Sequence, residues 1–551
     1  MNAPATRERR GNEHRGNEHH NTEHRSAQHR IGGRFPLPPT PQQRALRWIA
    51  GGSVLLTLVA ASSIGLDLPT LIAGGADVAS LVERMLPPRV DDPARIAALT
   101  LDTVLMAFLG TVLATFLSVP LAFLAARTTT PHPAVATIAR GVITFCRAVP
   151  DLVFAVLFVR ALGLGVLPGV LALALHSVGM LGKLFADAIE DADQGPREAV
   201  RSVGVGPLRE LLNGVVPQVV PAWISAFVYR VDINLRTSVV LGFVGAGGIG
   251  FALQDALRGL VYPKALGIVG IILVVVAAME LLSMAVRRAL LAPRNPRFER
   301  DRVVRFVSGA AAVALTAFAF VRLGIDPVAL VTSVPDLLGV AGRTFPPDLT
   351  SLGPVLWEAL LQTLAIGLVA TAIGVVLSLP LGLLAARNVA PHPVVHAAAR
   401  TTVLVVRAIP ELVLAVILVA AVGLGPVAGA VALGIGSIGF LGKLVADAVE
   451  EIPAGPAEAV RSVGGGWWKV LFAAVLPQSM PSVVGSTLYL LDVNIRTSTI
   501  LGIVGAGGVG FLLFEAVRTL RFEVVGGIVL LVFVVVLLIE RLSGWIRAQL
   551  T

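Results

Sequence analysis

The sequence predicts an all-α polytopic membrane protein with about twelve transmembrane helices in two repeats of the same orientation. Three observations carry that expectation. Of 551 residues, 55% are hydrophobic and 14% charged, with a mean hydropathy of +0.81, which leaves too few charges to clothe a soluble surface. Apolar runs of about 20 residues, the length a helix needs to cross the hydrocarbon core, recur along the whole chain. Lastly, Val231–Gly250 (VDINLRTSVVLGFVGAGGIG) and Leu491–Gly510 (LDVNIRTSTILGIVGAGGVG) share 13 of 20 residues at a shift of 491 − 231 = 260, and that shift superposes the halves without a gap from about Thr103 onward. A soluble enzyme or a nucleic-acid binder is excluded by this composition. The net charge of +9 is then the positive-inside signal of a membrane protein.

In chain order, residues 1–47 are polar and repetitive and read as a disordered cytoplasmic tail. Metal binding by His14, His19, His20, His24 and His29 is the alternative, weaker than plain solvated sequence. The first repeat, 48–290, has apolar spans near 47–66, 97–126, 134–163, 166–190, 214–243 and 263–288. A basic cytoplasmic linker is expected at 291–303. The second repeat, 304–551, has spans near 304–325, 357–386, 394–423, 426–450, 474–503 and 523–548. Arg127, the run Arg287 to Arg305 and Arg547 fall on the tail's side, whereas the loops from Asp67 to Arg95 and from Asp326 to Asp348 are net acidic. Both termini are therefore expected in the cytoplasm. An even number of spans per half makes the repeats parallel rather than inverted. The single cysteine, Cys146, excludes an intrachain disulfide and a cysteine zinc site.

Between the fourth and fifth spans of each half lies a long polar stretch. The first contains Glu198-Ala199-Val200, then Gly204, then Pro217; the second contains Glu458-Ala459-Val460, then Gly464, then Pro477. A short helix ended by a glycine turn and a proline stop is a compact lever for a partner. This spacing resembles the EAA loop of ABC-importer permeases, whose coupling helix docks on an ATPase. Val at the third position, Gly214 or Ala474 at the Ile position and Val216 before Pro217 depart from that pattern.

A second signal is the glycine-rich end of the fifth span, with Gly245, Gly247 and Gly248 repeated as Gly505, Gly507 and Gly508. It contains G-x-G-x-x-G, but a dinucleotide fingerprint needs a soluble strand–turn–helix unit, and here the motif ends a membrane span. At that depth dense glycine permits helix breaking or close packing. With Arg147 to Val153 (RAVPDLV), Arg407 to Val413 (RAIPELV), and the Asn-x-Arg-Thr-Ser steps at Asn234 and Asn494, this ending resembles phosphonate-type ABC-importer permeases. Glycine-rich ends also occur in the related permeases for methionine and quaternary-ammonium osmolytes. Family members are usually single-repeat chains that pair, so here one fused chain supplies both halves.

Ionisable residues inside membrane spans need a partner or a function. Arg147 with Asp151, Arg407 with Glu411, Asp232 with Arg236, Asp492 with Arg496, Lys183 with Asp187 and Lys443 with Asp447 are spaced four apart and read as ion pairs on one helix face. The alternative is that Arg147, Arg236, Arg407 and Arg496 form an electropositive path for an oxyanion, because guanidinium forks match phosphate-type oxygens. The halves differ at His176 against Gly436 and at Arg230 against Leu490.

The resemblance implies a type I ABC-importer permease fold in the cytoplasmic membrane of a prokaryote. It implies two copies of a cytoplasmic ATPase on the loops at Glu198 and Glu458, an extracytoplasmic binding protein, and alternating access for a phosphonate, phosphate or phosphite. The chain would carry no cofactor and no catalytic residue, ATP-Mg being bound by the partners. Gly179 to Leu184 lacks the phosphate-loop spacing. A secondary carrier would account for the buried charges but not for the duplicated loops, and a membrane-embedded enzyme has no visible nucleophile or metal set.

Overall fold

The computed structural model describes residues 41–291 and 299–550, so the tail histidines and most of the linker expected at 291–303 lie outside the described residues. Among the described residues every regular element is helical. Backbone contacts divide the chain into residues 1–56, which include most of the first helix, and residues 57–551, and the packing described below is that of the second unit. The first repeat comprises α1 (Pro41–Ser63), α2 (Leu68–Met85), α3 (Pro93–Ala125), α4 (Pro133–Ala148), α5 (Asp151–Leu162) and α6 (Val166–Glu190). It continues through α7 (Gln194–Ser202), α8 (Pro207–Glu210), a π turn (Leu211–Val215), α9 (Val216–Gly242), α10 (Gly248–Arg258) and α11 (Tyr262–Leu291).

The second repeat runs through α12 (Glu299–Arg322), α13 (Pro327–Thr332), α14 (Val334–Arg343), α15 (Gly353–Ala385), α16 (Pro393–Ala408), α17 (Glu411–Val422) and α18 (Pro426–Glu450). Then follow α19 (Gly455–Ser462), α20 (Trp467–Val470), a π turn (Leu471–Val475), α21 (Leu476–Leu501), α22 (Gly508–Arg518) and α23 (Phe522–Leu550). Among the described residues eight helices are each long and apolar enough to cross a membrane, and three bent pairs bring the candidate spans to eleven.

Two runs expected as single spans, 134–163 and 394–423, are instead broken: α4 meets α5 at 88° and α16 meets α17 at 81°. Pro150 and Pro410 cause the breaks. Each lacks the amide proton a helix interior requires, and each forces the residue before it, Val149 or Ile409, into extended conformation (ψ 123° and 119°).

Small residues set how closely the helices approach. A Cβ on Gly110 of α3 would lie 2.8 Å from the Cβ of Leu173 on α6. One on Gly179 would lie 2.4 Å from the Arg147 backbone nitrogen, and one on Gly439 2.4 Å from that of Arg407. Those two glycines thus seat the C-terminal ends of α4 and α16, with their arginines, directly against α6 and α18.

The repeats are interleaved. α2 packs on α17 while α14 packs on α5; α11 packs on α16 while α23 packs on α4. One apolar core joins Leu235, Val239 and Ile268 of the first repeat to Ile366, Leu412 and Leu433 of the second, and another joins Leu109, Phe154 and Leu173 to Val509, Leu513 and Ile528. Between membrane helices such mixed cores are held by close packing rather than by exclusion of water, so each half completes the packing of the other.

Candidate functional site

The two segments expected to be coupling levers form as short helices. Glu198 and Ala199 lie exposed on α7, Glu458 and Ala459 exposed on α19. Gly204 (φ +74°) and Gly464 (φ +78°) end these helices in the left-handed region open to glycine, and leave Val203 74% and Val463 82% exposed. The prolines act otherwise than as stops. Pro217 and Pro477 stand in the first turn of α9 and α21, each directly after a π turn, where a missing N–H costs little.

What holds each lever in place was not legible in the motif. In the first repeat Glu210 bonds Arg197 (2.6 Å) and Arg201 (3.1 Å), and Arg197 Nη1 donates to Thr128 O (2.6 Å). In the second, Ala457 and Val470 occupy the positions of Arg197 and Glu210 and are buried in an apolar cluster with Leu471 and Ala474, while Trp467 Nε1 donates to Val389 O (2.7 Å). An ionic clamp and an apolar clamp do the same work.

The glycine-rich segments make a chain reversal at the end of α9 and α21. Gly245, Gly247 and Gly248 have φ of +96°, +80° and +73°, and Gly505, Gly507 and Gly508 have +96°, +78° and +71°. Ile249 N donates to Thr103 Oγ1 and Val509 N to Thr363 Oγ1, each at 2.8 Å, so α3 and α15 satisfy the first amides of α10 and α22.

Within the membrane the charges gather in two groups of four. In one, Arg236 bonds Asp232 (3.0 Å) and lies 3.8 Å from Glu280, which bonds Arg407 of the other repeat (2.9 Å). In the other, Arg496 bonds Asp492 (2.5 Å) and donates to Arg147 O (3.3 Å), while Arg147 pairs with Glu540 of the other repeat. Each group sets two guanidiniums against two carboxylates. The pairs expected between Arg147 and Asp151 and between Arg407 and Glu411 are therefore corrected: the proline breaks lie between their members, so four-residue spacing no longer places them on one face. The Asp232–Arg236, Asp492–Arg496 and Lys183–Asp187 (3.0 Å) pairs form as the spacing indicates. Asn234 and Asn494, fully buried, donate to Thr111 Oγ1 (2.9 Å) and Thr371 Oγ1 (3.0 Å), tying α9 to α3 and α21 to α15.

Where the repeats differ, one difference is compensated. A Cβ on Gly436 would lie 2.9 Å from Glu411 Cγ, so glycine makes room for the longer acid. The first repeat combines the shorter Asp151 with the larger His176, whose Nδ1 donates to Val149 O (3.1 Å). Arg230 against Leu490 has no such counterpart. Among the described residues no cluster of His, Cys, Asp or Glu suited to a metal ion is found.

A family model described as the binding-protein-dependent transport system inner membrane component matches residues 118–294 and again residues 378–550, together more than half of the chain. The chain belongs to this family. It carries the family's domain twice, as a fused tandem duplication, and is a multi-pass, non-catalytic permease subunit of an ABC importer, a machine that works with ATPase and substrate-binding partners. A phosphate-import permease protein of Mycolicibacterium smegmatis, PhnE, is 68% identical over 90% of this chain and 93% of its own length. The phosphite transport system permease protein PtxC of Stutzerimonas stutzeri is 42% identical over 42% of this chain and 85% of its own length. A probable D-methionine transport system permease protein of Pasteurella multocida, MetI, is 33% identical over 28% of this chain and 79% of its own length.

Proposed function

We propose that this permease imports a tetrahedral oxyanion of the phosphate class, namely phosphate, phosphite or a phosphonate, by alternating access between its two halves, 48–290 and 304–551. The observation that carries the reading is the 68% identity, over nearly all of both chains, to a phosphate-import permease. Two copies of a cytoplasmic ATPase would grip α7 and α19 through Glu198 and Glu458, and an extracytoplasmic binding protein would deliver the anion to the opposite face. Both termini then lie in the cytoplasm. Closure of the ATPases would pull on α6 and α9, and on α18 and α21, which flank the levers; the reciprocal pairs Arg147–Glu540 and Arg407–Glu280 bridge the halves and are the contacts that such a motion must rearrange. The two charge groups and the glycine turns would line or frame the path.

The test is uptake in proteoliposomes reconstituted with the ATPase and binding protein, using inorganic phosphate, phosphite, methylphosphonate, methionine and betaine. ATP-dependent accumulation of the phosphorus oxyanions alone is expected. Accumulation of methionine or betaine, or uptake driven by an ion gradient without ATP, would overturn the reading.

A further inference from the structure

Arg230, like Asp151 and Glu411, lies outside the two charge groups. It lies on α9, 3% exposed, and makes no ion pair among the described residues. Its Nε donates to Ser177 Oγ (2.8 Å) and its Nη1 reaches Met180 Sδ (3.3 Å), both on α6. Its Nη2 is buried and has no partner. A guanidinium carries five donors and no acceptor, so a buried, unpartnered Nη2 is an open hydrogen-bonding position next to a full positive charge. Such a group within a membrane is costly unless an anion answers it.

Packing does not demand the arginine. At the matching position of the second repeat Leu490 is 2% exposed, against Ser437 where the first repeat has Ser177 and below the same kind of buried asparagine, Asn494 for Asn234. The same helix-on-helix frame therefore closes over an apolar side chain in one half and over an unpaired cation in the other. The carboxylate whose field reaches Arg230 is Asp151; it is 9% exposed and already accepts from Leu152 N (2.8 Å). His176 lies in the field of Asp151, of Arg230 and of Arg496 from the other repeat.

We infer that Arg230, steadied by Ser177, is an anion-holding station in the first half of the path with no counterpart in the second. The ligand class is a tetrahedral oxyanion, whose oxygens accept from the free Nη2 while Nε stays on Ser177. This rests on the import reading above and adds to it that the path is asymmetric: the anion is held against one repeat, at a position where the other repeat has the buried Leu490. A single guanidinium hydrogen bond holds an anion weakly enough to let it leave, which a conducting path requires.

The experiment uses the whole reconstituted importer with inorganic phosphate as probe and reads phosphate moved per ATP hydrolysed. Arg230→Leu copies the residue that the second half already accommodates. The expected result is a loss of at least tenfold in phosphate per ATP with ATP hydrolysis within twofold of the parent, since the levers and the ATPases are untouched. An unchanged ratio overturns the inference. So does full recovery in Arg230→Leu with Asp151→Asn, because Arg230 would then only neutralise Asp151. Should Arg230→Leu fail to assemble, Arg230→Lys keeps the stem and charge but loses the fork; a threefold or greater fall in the ratio is expected and an unchanged ratio overturns the proposal. Absence of ATP-driven phosphate, phosphite and methylphosphonate uptake in the parent protein is a separate outcome that defeats the import reading itself.

Discussion

Glu280 and Glu540 occupy equivalent places in the two repeats, yet their removal should cost very different amounts. Glu280 is the hinge of its charge group: it bonds Arg407 at 2.9 Å and lies 3.8 Å from Arg236, with the side chains 10%, 16% and 20% exposed. Glu540 pairs with Arg147 alone, and the two are 38% and 25% exposed. Glu280→Gln strips a mostly buried guanidinium of its countercharge and should destabilise the fold by about 3 kcal/mol. The Arg147 pair is less enclosed by the protein, so Glu540→Gln should cost less than Glu280→Gln. The double variant Glu280→Gln with Arg407→Gln removes the charges together and should regain most of the loss, since Arg236 keeps Asp232 at 3.0 Å. Denaturant titration in a mild detergent measures all three. Equal costs for the two single variants, or a double variant no better than Glu280→Gln, would refute the argument from burial.

Further outcomes follow from the same geometry. Glu198→Lys with Glu458→Lys should leave the chain inserted but reduce ATPase binding and uptake severalfold, and the single variants should be unequal because α7 is clamped by ions and α19 by apolar packing; binding of the purified ATPase reads this directly. Removing Arg236 and Asp232 together, with Arg496 and Asp492, should preserve detergent stability to within about 1 kcal/mol if the pairs are only structural, whereas loss of phosphate uptake in that stable quadruple variant assigns them to the path. Gly248→Ala places a Cβ 2.4 Å from Thr103 Oγ1 at φ +73° and should destabilise by about 1–3 kcal/mol, read by the same denaturant titration. Single cysteines at Asp91 and Asp348 should react with impermeant thiol reagents from outside and those at Gly195 and Gly455 should not, the native Cys146 being buried; reversed labelling would invert the topology.

The sequence by itself determined the membrane class, the tandem repeat and most of the helical spans, because those features rest on local composition, on periodicity and on self-similarity at a fixed shift. It also indicated the ion pairs Asp232–Arg236, Asp492–Arg496 and Lys183–Asp187 within unbroken helices, where a rise of about 1.5 Å per residue brings such side chains together, although Lys443 and Asp447, equally spaced on α18, form no ion pair among the described residues. Only the tertiary structure decided the partners of Arg147 and Arg407. Four-residue spacing points to Asp151 and Glu411, but Pro150 and Pro410 turn the chain through nearly a right angle, and the carboxylates that answer these arginines are 393 and 127 residues away, brought in by helices of the opposite repeat. The clamp of Arg197 and Arg201 on Glu210 was hidden for a similar reason: in the second repeat its place is taken by Ala457 and Val470, so no charge pattern repeats. The exchange of helices between halves leaves no mark on either repeat's pattern, since an apolar face reads the same whether its own half or the other one covers it.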